Sequence, residues 1–174
     1  MQIKESGSTD VNRIFKLHLD AFGETEGPVV ARLALDLLED QRSQFMLSLI
    51  AQENEELVGH ILFTGVSVSD CVSQGGYILA PLAVSPRFQR QGIGIALIKH
   101  GLDILRNENA EYVLVLGDPA YYKPAGFSDN HRIEPPYAID YPEAWMAQEL
   151  KQGAMSKIVG TVHCAAPLQA REHW

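Results

Sequence analysis

Three consecutive segments constrain this chain more than any others. Residues 77–84 are an almost unbroken apolar run, residues 93–107 place Ile93, Leu97, Ile98, Leu102 and Leu105 on one side of a helix, and residues 112–116 are again solidly apolar. A strand without polar alternation is covered on both faces, which is the habit of parallel strands flanked by helices. Strand, helix and strand in succession form a βαβ unit whose strands are parallel, because the chain returns through a crossover. The expected architecture is α/β with a mixed α+β sheet built around that unit.

The flanking sequence supplies the remaining elements. Thr9 or Asp10 can cap a helix carrying Ile14, Phe15, Leu17, Leu19 and Phe22 at helical spacing and ending at Gly23. Pro28 suits the first turn of a second helix, with Val29, Val30, Leu33, Leu37 and Leu38 as its buried stripe up to about Asp40. Residues 45–51 and 57–68 are rich in β-branched and aromatic side chains, and the polar segment Glu53-Asn54-Glu55-Glu56 between them predicts an antiparallel hairpin. Ser67, Ser69, Ser73, Gln74, Gly75 and Gly76 supply the next turn. After Gly117, five prolines from Pro119 to Pro142 break the pattern, leaving a short helix at 143–152 and a final strand at 158–164. With 174 residues and no repeat or linker, residues 1–174 are expected to form one domain. Folding a chain of this length hides roughly 70% of its extended surface, enough for a core without a metal or disulfide staple.

Composition then removes whole classes of function. At 46% hydrophobic and 21% charged residues the chain is neither disordered nor collagenous nor a coiled coil. A formal net charge of −8 argues against sequence-independent binding to nucleic acid. The charge is uneven: residues 1–60 carry 5 basic and 11 acidic side chains, whereas no acidic residue falls between Asp70 and Asp103, a window that holds Arg87, Arg90 and Lys99. That window can accept an anion, and chance clustering explains it equally well. Cys71 and Cys164 are the only cysteines and form no CxxC or Cys/His ligand pattern, so a reduced, metal-free interior is expected. The polar start MQIKESGSTD is unlike a signal peptide and no run approaches the ~20 apolar residues of a membrane span. A cytoplasmic protein with no membrane partner is the expectation.

The chemistry concentrates in Gln89-Arg90-Gln91-Gly92-Ile93-Gly94, between the 77–84 strand and the helix at Ile93. A helix start leaves backbone N–H groups unpaired and its dipole favours negative charge, while glycines let the backbone approach a phosphate. Arg87 and Arg90 add positive charge at the rim, so the segment is equipped to hold a pyrophosphate. A Walker loop needs a Lys-Ser/Thr ending where Ile95 and Ala96 stand, and a dinucleotide fingerprint needs a small residue where Leu97 stands. A strand-to-helix turn with no ligand stays open as the structural alternative.

Here the sequence resembles the GNAT superfamily of acyl-CoA-dependent N-acetyltransferases, whose pyrophosphate loop reads Q/R-x-x-G-x-G/A; Gln89, Gly92 and Gly94 match its fixed positions. Leu82-Ala83-Val84-Ser85-Pro86 resembles that family's central strand entering the loop. Tyr121-Tyr122-Lys123-Pro124-Ala125-Gly126-Phe127 resembles its aromatic-Tyr-x-x-x-Gly-Phe segment. The order of two helices, a meander, βαβ and a final hairpin is similar over nearly the whole chain, and Gly117-Asp118-Pro119 with Tyr121-Tyr122 is similar to the YhbS-type branch. The resemblance implies the GNAT acyl-CoA N-acyltransferase fold with splayed parallel strands, and acetyl-CoA as cosubstrate in that splay, without a metal. It implies cofactor contacts from Leu82, Ala83, Val84, Gln89, Arg90, Gln91, Gly92, Ile93, Gly94 and Ile95.

The implied reaction is direct attack of a primary amine on the thioester carbonyl, with loss of the CoA thiolate. Pro81 cannot donate to a ladder, so a bulge is expected there that re-aims the Leu82 N–H toward the thioester oxygen, where one preorganised donor is worth about 3 kcal/mol. Tyr122 stands at the family's position for the acid that protonates the thiolate; alternatively Tyr121 and Tyr122 are packing aromatics. Asp118 and Pro119 start a helix well, and Pro124 should cut it short. No carboxylate lies on residues 77–84, leaving Asp118, His131 and Glu134 as base candidates by location, or water. The acceptor is a small-molecule amine or a protein amine, and a homodimer is left open. The rival readings are a catalytically weak CoA-binding sensor or interaction module with the same fold, and nucleotide binding without acyl chemistry.

Overall fold

The computed structural model describes residues 1–40, 42, 45–69, 71 and 75–174; Ser73 and Gln74 of the expected turn, and Asp70, lie outside these. Chain order is β1 (Gln2–Glu5), α1 (Val11–Glu39), β2 (Met46–Glu53), β3 (Glu56–Val68), β4 (Gly76–Val84), α2 (Ile93–Asn107), β5 (Tyr112–Leu116), α3 (Pro119–Tyr122), β6 (Ile133–Glu134), β7 (Trp145–Glu149), β8 (Gly160–His163) and α4 (Ala166–Gln169). Two compact units are formed, one by Met1–Phe63 and Ala80–Gly101, the other by Thr64–Leu79 and Leu102–Trp174. The eight strands run in the hydrogen-bonded order β1-β2-β3-β4-β5-β7, with β8 on β3 and β6 on β8, which makes the fold mixed α/β as expected.

In the first unit, β1 pairs antiparallel with β2 from Gln2–Gln52 to Glu5–Leu49. The polar opening segment thus forms a strand that sequence reading passed over. Only Ile3 of β1 is shielded from solvent, and an edge strand is held by its backbone bonds without an apolar face. The β2–β3 hairpin forms as expected, through Asn54 and Glu55, both at positive φ (47° and 67°), the backbone of a two-residue turn matched to strand twist.

Helix α1 carries a break at Gly23, whose φ of 72° and ψ of −171° lie outside the helical region, so the two expected helices are continuous except for that residue. Asp10 stands at the N-terminal boundary, but its carboxylate turns back to accept from the Gly7 N–H at 3.0 Å instead of capping the first turn. Beyond the break the buried face is Ala31, Leu33, Ala34 and Leu37, and Val29 is 40% exposed, off the expected stripe. The reason is packing: Ile14, Leu17 and Ala34 of α1 cluster with Ile50, Leu57 and Ala83, and this contact fixes which side of the helix turns inward.

In the second unit, β4 and β5 are parallel from Gly76–Tyr112 to Ile78–Leu114, as the βαβ reading requires. Strand β4 runs on to Val84 past its last partner in β5. Along the strand Gly76, Ile78, Leu79, Pro81 and Ala83 are buried and Tyr77, Ala80, Leu82 and Val84 half-exposed, so the expected cover on both faces is incomplete along its whole length. The Ala80–Pro81 peptide is cis.

Residues 143–152 correct the expectation of a helix. They contain β7, antiparallel to β5 from Tyr112–Glu149 to Leu116–Trp145, with Trp145, Met146 and Ala147 buried. The free edge of β5 offers backbone partners and an apolar seat, and that tertiary demand overrides a helix-compatible local sequence. The expected closing hairpin is also absent. Strand β8 pairs instead with β3 at Ser67–His163 and Val68–Val162, and runs parallel to β6 at Ile133–Gly160 and Glu134–Thr161.

Candidate active site

The Gln89–Gly94 loop lies in the first unit and leads from the end of β4 into α2. Gln89 Nε2 donates to the Val84 carbonyl at 3.2 Å, tying the start of the loop to the strand end, and Gln91 Nε2 reaches the Arg87 carbonyl at 3.4 Å. Arg90 and Gly92 both have positive φ (60° and 83°), which turns the chain sharply enough to present consecutive amides on one side. A Cβ at Gly92 would meet nothing within 4 Å, so the space beside this backbone is open. The first α2 ladder bond runs from Ala96 N to Gly92 O at 2.9 Å. The preceding amides of Ile93, Gly94 and Ile95 therefore have no carbonyl one helical turn earlier to receive them.

The side-chain charge is distributed differently from the expectation. Arg87 is held by Glu56 at 3.3 Å and lies over the Phe88 ring, so its charge is already paired. Arg90 has no ion-pair partner among the described residues. Open space, amides without a helical partner at the start of α2 and the Arg90 guanidinium together give this turn the chemistry to receive an anion. Of the other residues expected at this site, Leu82, Ala83 and Val84 also lie in the first unit, on the half of β4 beyond the β5 ladder.

Tyr122 lies in the second unit, at the end of α3. Asp118 caps that helix by accepting from Ala120 N at 2.9 Å, Pro119 follows, and the chain passes into a 3-10 turn at Lys123–Ala125, so the helix is cut short as Pro124 predicts. The Tyr122 ring packs edge-on against Tyr121 and Phe127, with centroids 5.1 and 5.7 Å away. A Cβ at Gly117 would collide with this ring, so the glycine makes room for it. Burial first, and the neighbouring Tyr121 second, raise the phenol above its ordinary value of 10.0, so it keeps its proton throughout the neutral range.

The base candidates are mostly committed elsewhere. The Asp118 carboxylate is the α3 cap. His131 accepts from Ile133 N at Nδ1 (3.3 Å), which leaves Nε2 to donate to the Trp145 carbonyl at 3.0 Å, and burial lowers its pKa. With both nitrogens used, its one lone pair is already engaged by the Ile133 N–H. Glu134 is exposed on β6. Among the described residues no group of three His, Cys, Asp or Glu side chains is placed to hold a metal, and no helix is long and apolar enough to cross a membrane.

The model of the acetyltransferase (GNAT) family matches residues 11–127, which contain the loop, β4, α2, β5 and the Tyr121–Phe127 segment. The chain belongs to the GNAT acetyltransferase family. A relative along most of its length is the uncharacterized N-acetyltransferase YjhQ of Escherichia coli K12, 36% identical over 165 residues, or 91% of this chain and 89% of that protein. YhbS of the same strain is 36% identical over 105 residues, 59% and 60% of the two chains. Among solved structures, E. coli YhbS in complex with CoA has a TM-score of 0.87 at 27% identity, covering 98% of this chain and 92% of that one. A GNAT acetyltransferase from Brucella melitensis with acetyl-CoA has a TM-score of 0.76 at 27% identity, covering 96% and 97%. The resemblance to this family and its fold, anchored in sequence on the Gln89–Gly94 loop, is thus confirmed.

One polar assembly escaped the sequence reading. His18 of α1, His60 of β3 and Ser48 of β2 are all buried, with His18 Nε2 2.8 Å from His60 Nδ1 and His60 Nε2 3.0 Å from Ser48 Oγ; Ser48 Oγ is in turn 2.6 Å from Ser6 Oγ. A polar residue within an apolar-patterned segment, as His18 and His60 both are, was the available signal.

Proposed function

We propose that residues 1–174 form one N-acetyltransferase domain that moves an acetyl group from acetyl-CoA to a primary amine by direct attack on the thioester. The observation that carries this reading is the Gly92 turn: positive φ, open space and the unpaired amides of Ile93, Gly94 and Ile95 fit the diphosphate of CoA. That YhbS and the Brucella enzyme were crystallised with CoA and acetyl-CoA supports the same ligand here.

Acetyl-CoA supplies an acyl group already activated as a thioester. Gln89, Arg90, Gln91, Gly92, Ile93, Gly94 and Ile95 hold the diphosphate, and the edge of Leu82, Ala83 and Val84 aligns the pantetheine arm by strand-like pairing. The Leu82 N–H stabilises negative charge as it grows on the thioester oxygen. As the amine nitrogen bonds to the carbonyl carbon, the carbon–sulfur bond breaks. Tyr122 gives its proton to the departing sulfur, and the surplus proton of the amine passes to water, which restores the proton on Tyr122.

The commitments of Asp118 and His131, with Glu134 exposed on β6, support water as the proton acceptor in this reading. The same commitments favour one rival, a CoA-binding sensor that turns over weakly or not at all. The deciding experiment is CoA release with acetyl-CoA and a panel of amines: release dependent on added amine is expected. Tight CoA binding without release across the panel would leave the sensor.

A further inference from the structure

The second unit contains a pocket of about 470 Å³ that no part of the acetyl-CoA reading uses. It is walled by Gly117 at the end of β5, by Tyr137, Asp140 and Tyr141 from the proline-rich segment, and by Arg171 and Trp174 near the C-terminus. Its volume suits a ligand of amino-acid size.

The walls differ in kind. Tyr137 is fixed by a hydrogen bond from its hydroxyl to the Gln169 carbonyl at 3.0 Å, and Trp174 by its Nε1–H on the Leu168 carbonyl at 2.8 Å. Both rings are therefore fixed in place where they line the space. Tyr141 is 70% exposed, an aromatic side chain with little to pack against in the protein itself. The Arg171 guanidinium lies over the Tyr137 ring, 5.6 Å from its centroid, which limits its wandering without using its hydrogen-bond donors. Among the described residues neither Arg171 nor Asp140 has an ion-pair partner, although both line the same cavity. Both side chains are exposed and solvated, and because they line one cavity with opposite charge, a ligand that carries both complements can replace solvent at each.

We infer that this pocket binds a small zwitterion of the amino-acid class, its ammonium against Asp140, its carboxylate against Arg171 and its side chain among Tyr137, Tyr141 and Trp174. A cation alone leaves Arg171 unanswered, and an anion alone leaves Asp140 so. The aromatic walls favour a flat or bulky apolar side chain over a short one. As an assignment of the acceptor this rests on the acetyl-transfer reading, since such a ligand brings the primary amine that reading requires; as a binding site it stands without it.

The test is calorimetric titration of the full chain with three probes: phenylalanine, phenethylamine, which lacks the carboxylate, and 3-phenylpropionate, which lacks the ammonium. Phenylalanine is expected to bind about tenfold more tightly than either, from the added charge-assisted contact. Arg171→Gln should erase its advantage over phenethylamine, and Asp140→Asn its advantage over 3-phenylpropionate. Equal affinity of phenylalanine and phenethylamine in the unaltered protein, or no binding of phenylalanine, overturns the inference, and neither result depends on a variant folding. Amine-dependent CoA release with spermidine, measured alongside, separates the two readings. Release without phenylalanine binding removes the pocket assignment alone, whereas phenylalanine bound but no release with any amine removes the acetyl-transfer reading and leaves the pocket.

Discussion

His18 Nε2 lies 2.8 Å from His60 Nδ1, both rings fully buried and set nearly perpendicular, at 83°. One of the two nitrogens must donate and the other accept, so the pair is held together only while at least one imidazole is neutral at that bond. Among the described residues His18 Nδ1 has no partner, and it is buried, which favours the tautomer with a bare lone pair there over one with a stranded N–H. In that tautomer every proton points outward along the chain, from His18 to His60 to Ser48 to Ser6.

This arrangement makes stability depend on acid. Burial lowers the His18 pKa from 6.5 to about 4, and burial together with the neighbouring His18 lowers that of His60 well below its ordinary value. The unfolded chain takes up protons as pH falls through 6.5 while the folded chain does not, so stability is full above that value. It declines until about pH 4, where the folded His18 also protonates. His18 alone should account for roughly 3 kcal/mol over that interval. Urea unfolding at a series of pH values checks this, with His18→Gln expected to flatten the slope; equal slopes in the two proteins would show that the buried imidazole does not titrate as described.

Gly92 predicts a binding defect without loss of fold. A Cβ at this position meets nothing within 4 Å, but a φ of 83° is strained for a β-branched residue such as valine, at a cost of order 1–3 kcal/mol, and the added side chain occupies space beside the loop's backbone. CoA affinity in Gly92→Val should fall by about tenfold or more while the circular dichroism spectrum is retained. An unchanged Kd for CoA would remove the diphosphate assignment.

Tyr122 predicts a rate defect without a binding defect. Tyr122→Phe keeps the ring contacts with Tyr121 and Phe127 and deletes only the hydroxyl. If that hydroxyl protonates the departing sulfur, amine-dependent kcat should drop about 100-fold with little change in CoA affinity. Because the phenol is raised above 10.0, its ionisation should leave no alkaline limb in the rate profile between pH 7 and 9. Turnover intact in the variant would make Tyr122 a packing residue.

Trp145 tests the strand that the local sequence does not announce. Its ring is buried, packs against His131 and Trp174 with centroids at 6.1 and 5.4 Å, and its Nε1–H donates to the Ile133 carbonyl at 2.8 Å. Trp145→Ala opens a cavity and strands that carbonyl, and should cost about 3–5 kcal/mol in chemical unfolding. A loss below 1 kcal/mol would mean that β7 is not anchored there.

What the sequence determined by itself is whatever its own neighbouring residues enforce. The periodicity of Ile93–Asn107 places its apolar side, Asp118-Pro119 starts α3 and Pro124 shortens it, Gly23 breaks α1, and Asn54-Glu55 turns the hairpin, all through interactions within a few residues. The Gln89–Gly94 loop belongs here too, since a glycine turn feeding a helix creates its unpaired amides locally. Tertiary structure alone decided the rest. Residues 145–149 became a strand because β5 offered an open edge, and Val29 turned outward because Ala31 and Ala34 fit the core. His18 and His60 met across 42 residues of chain, and Asp140 came to share a pocket with Arg171. Such meetings are fixed by packing and by the pairing of distant backbone, which no local pattern encodes.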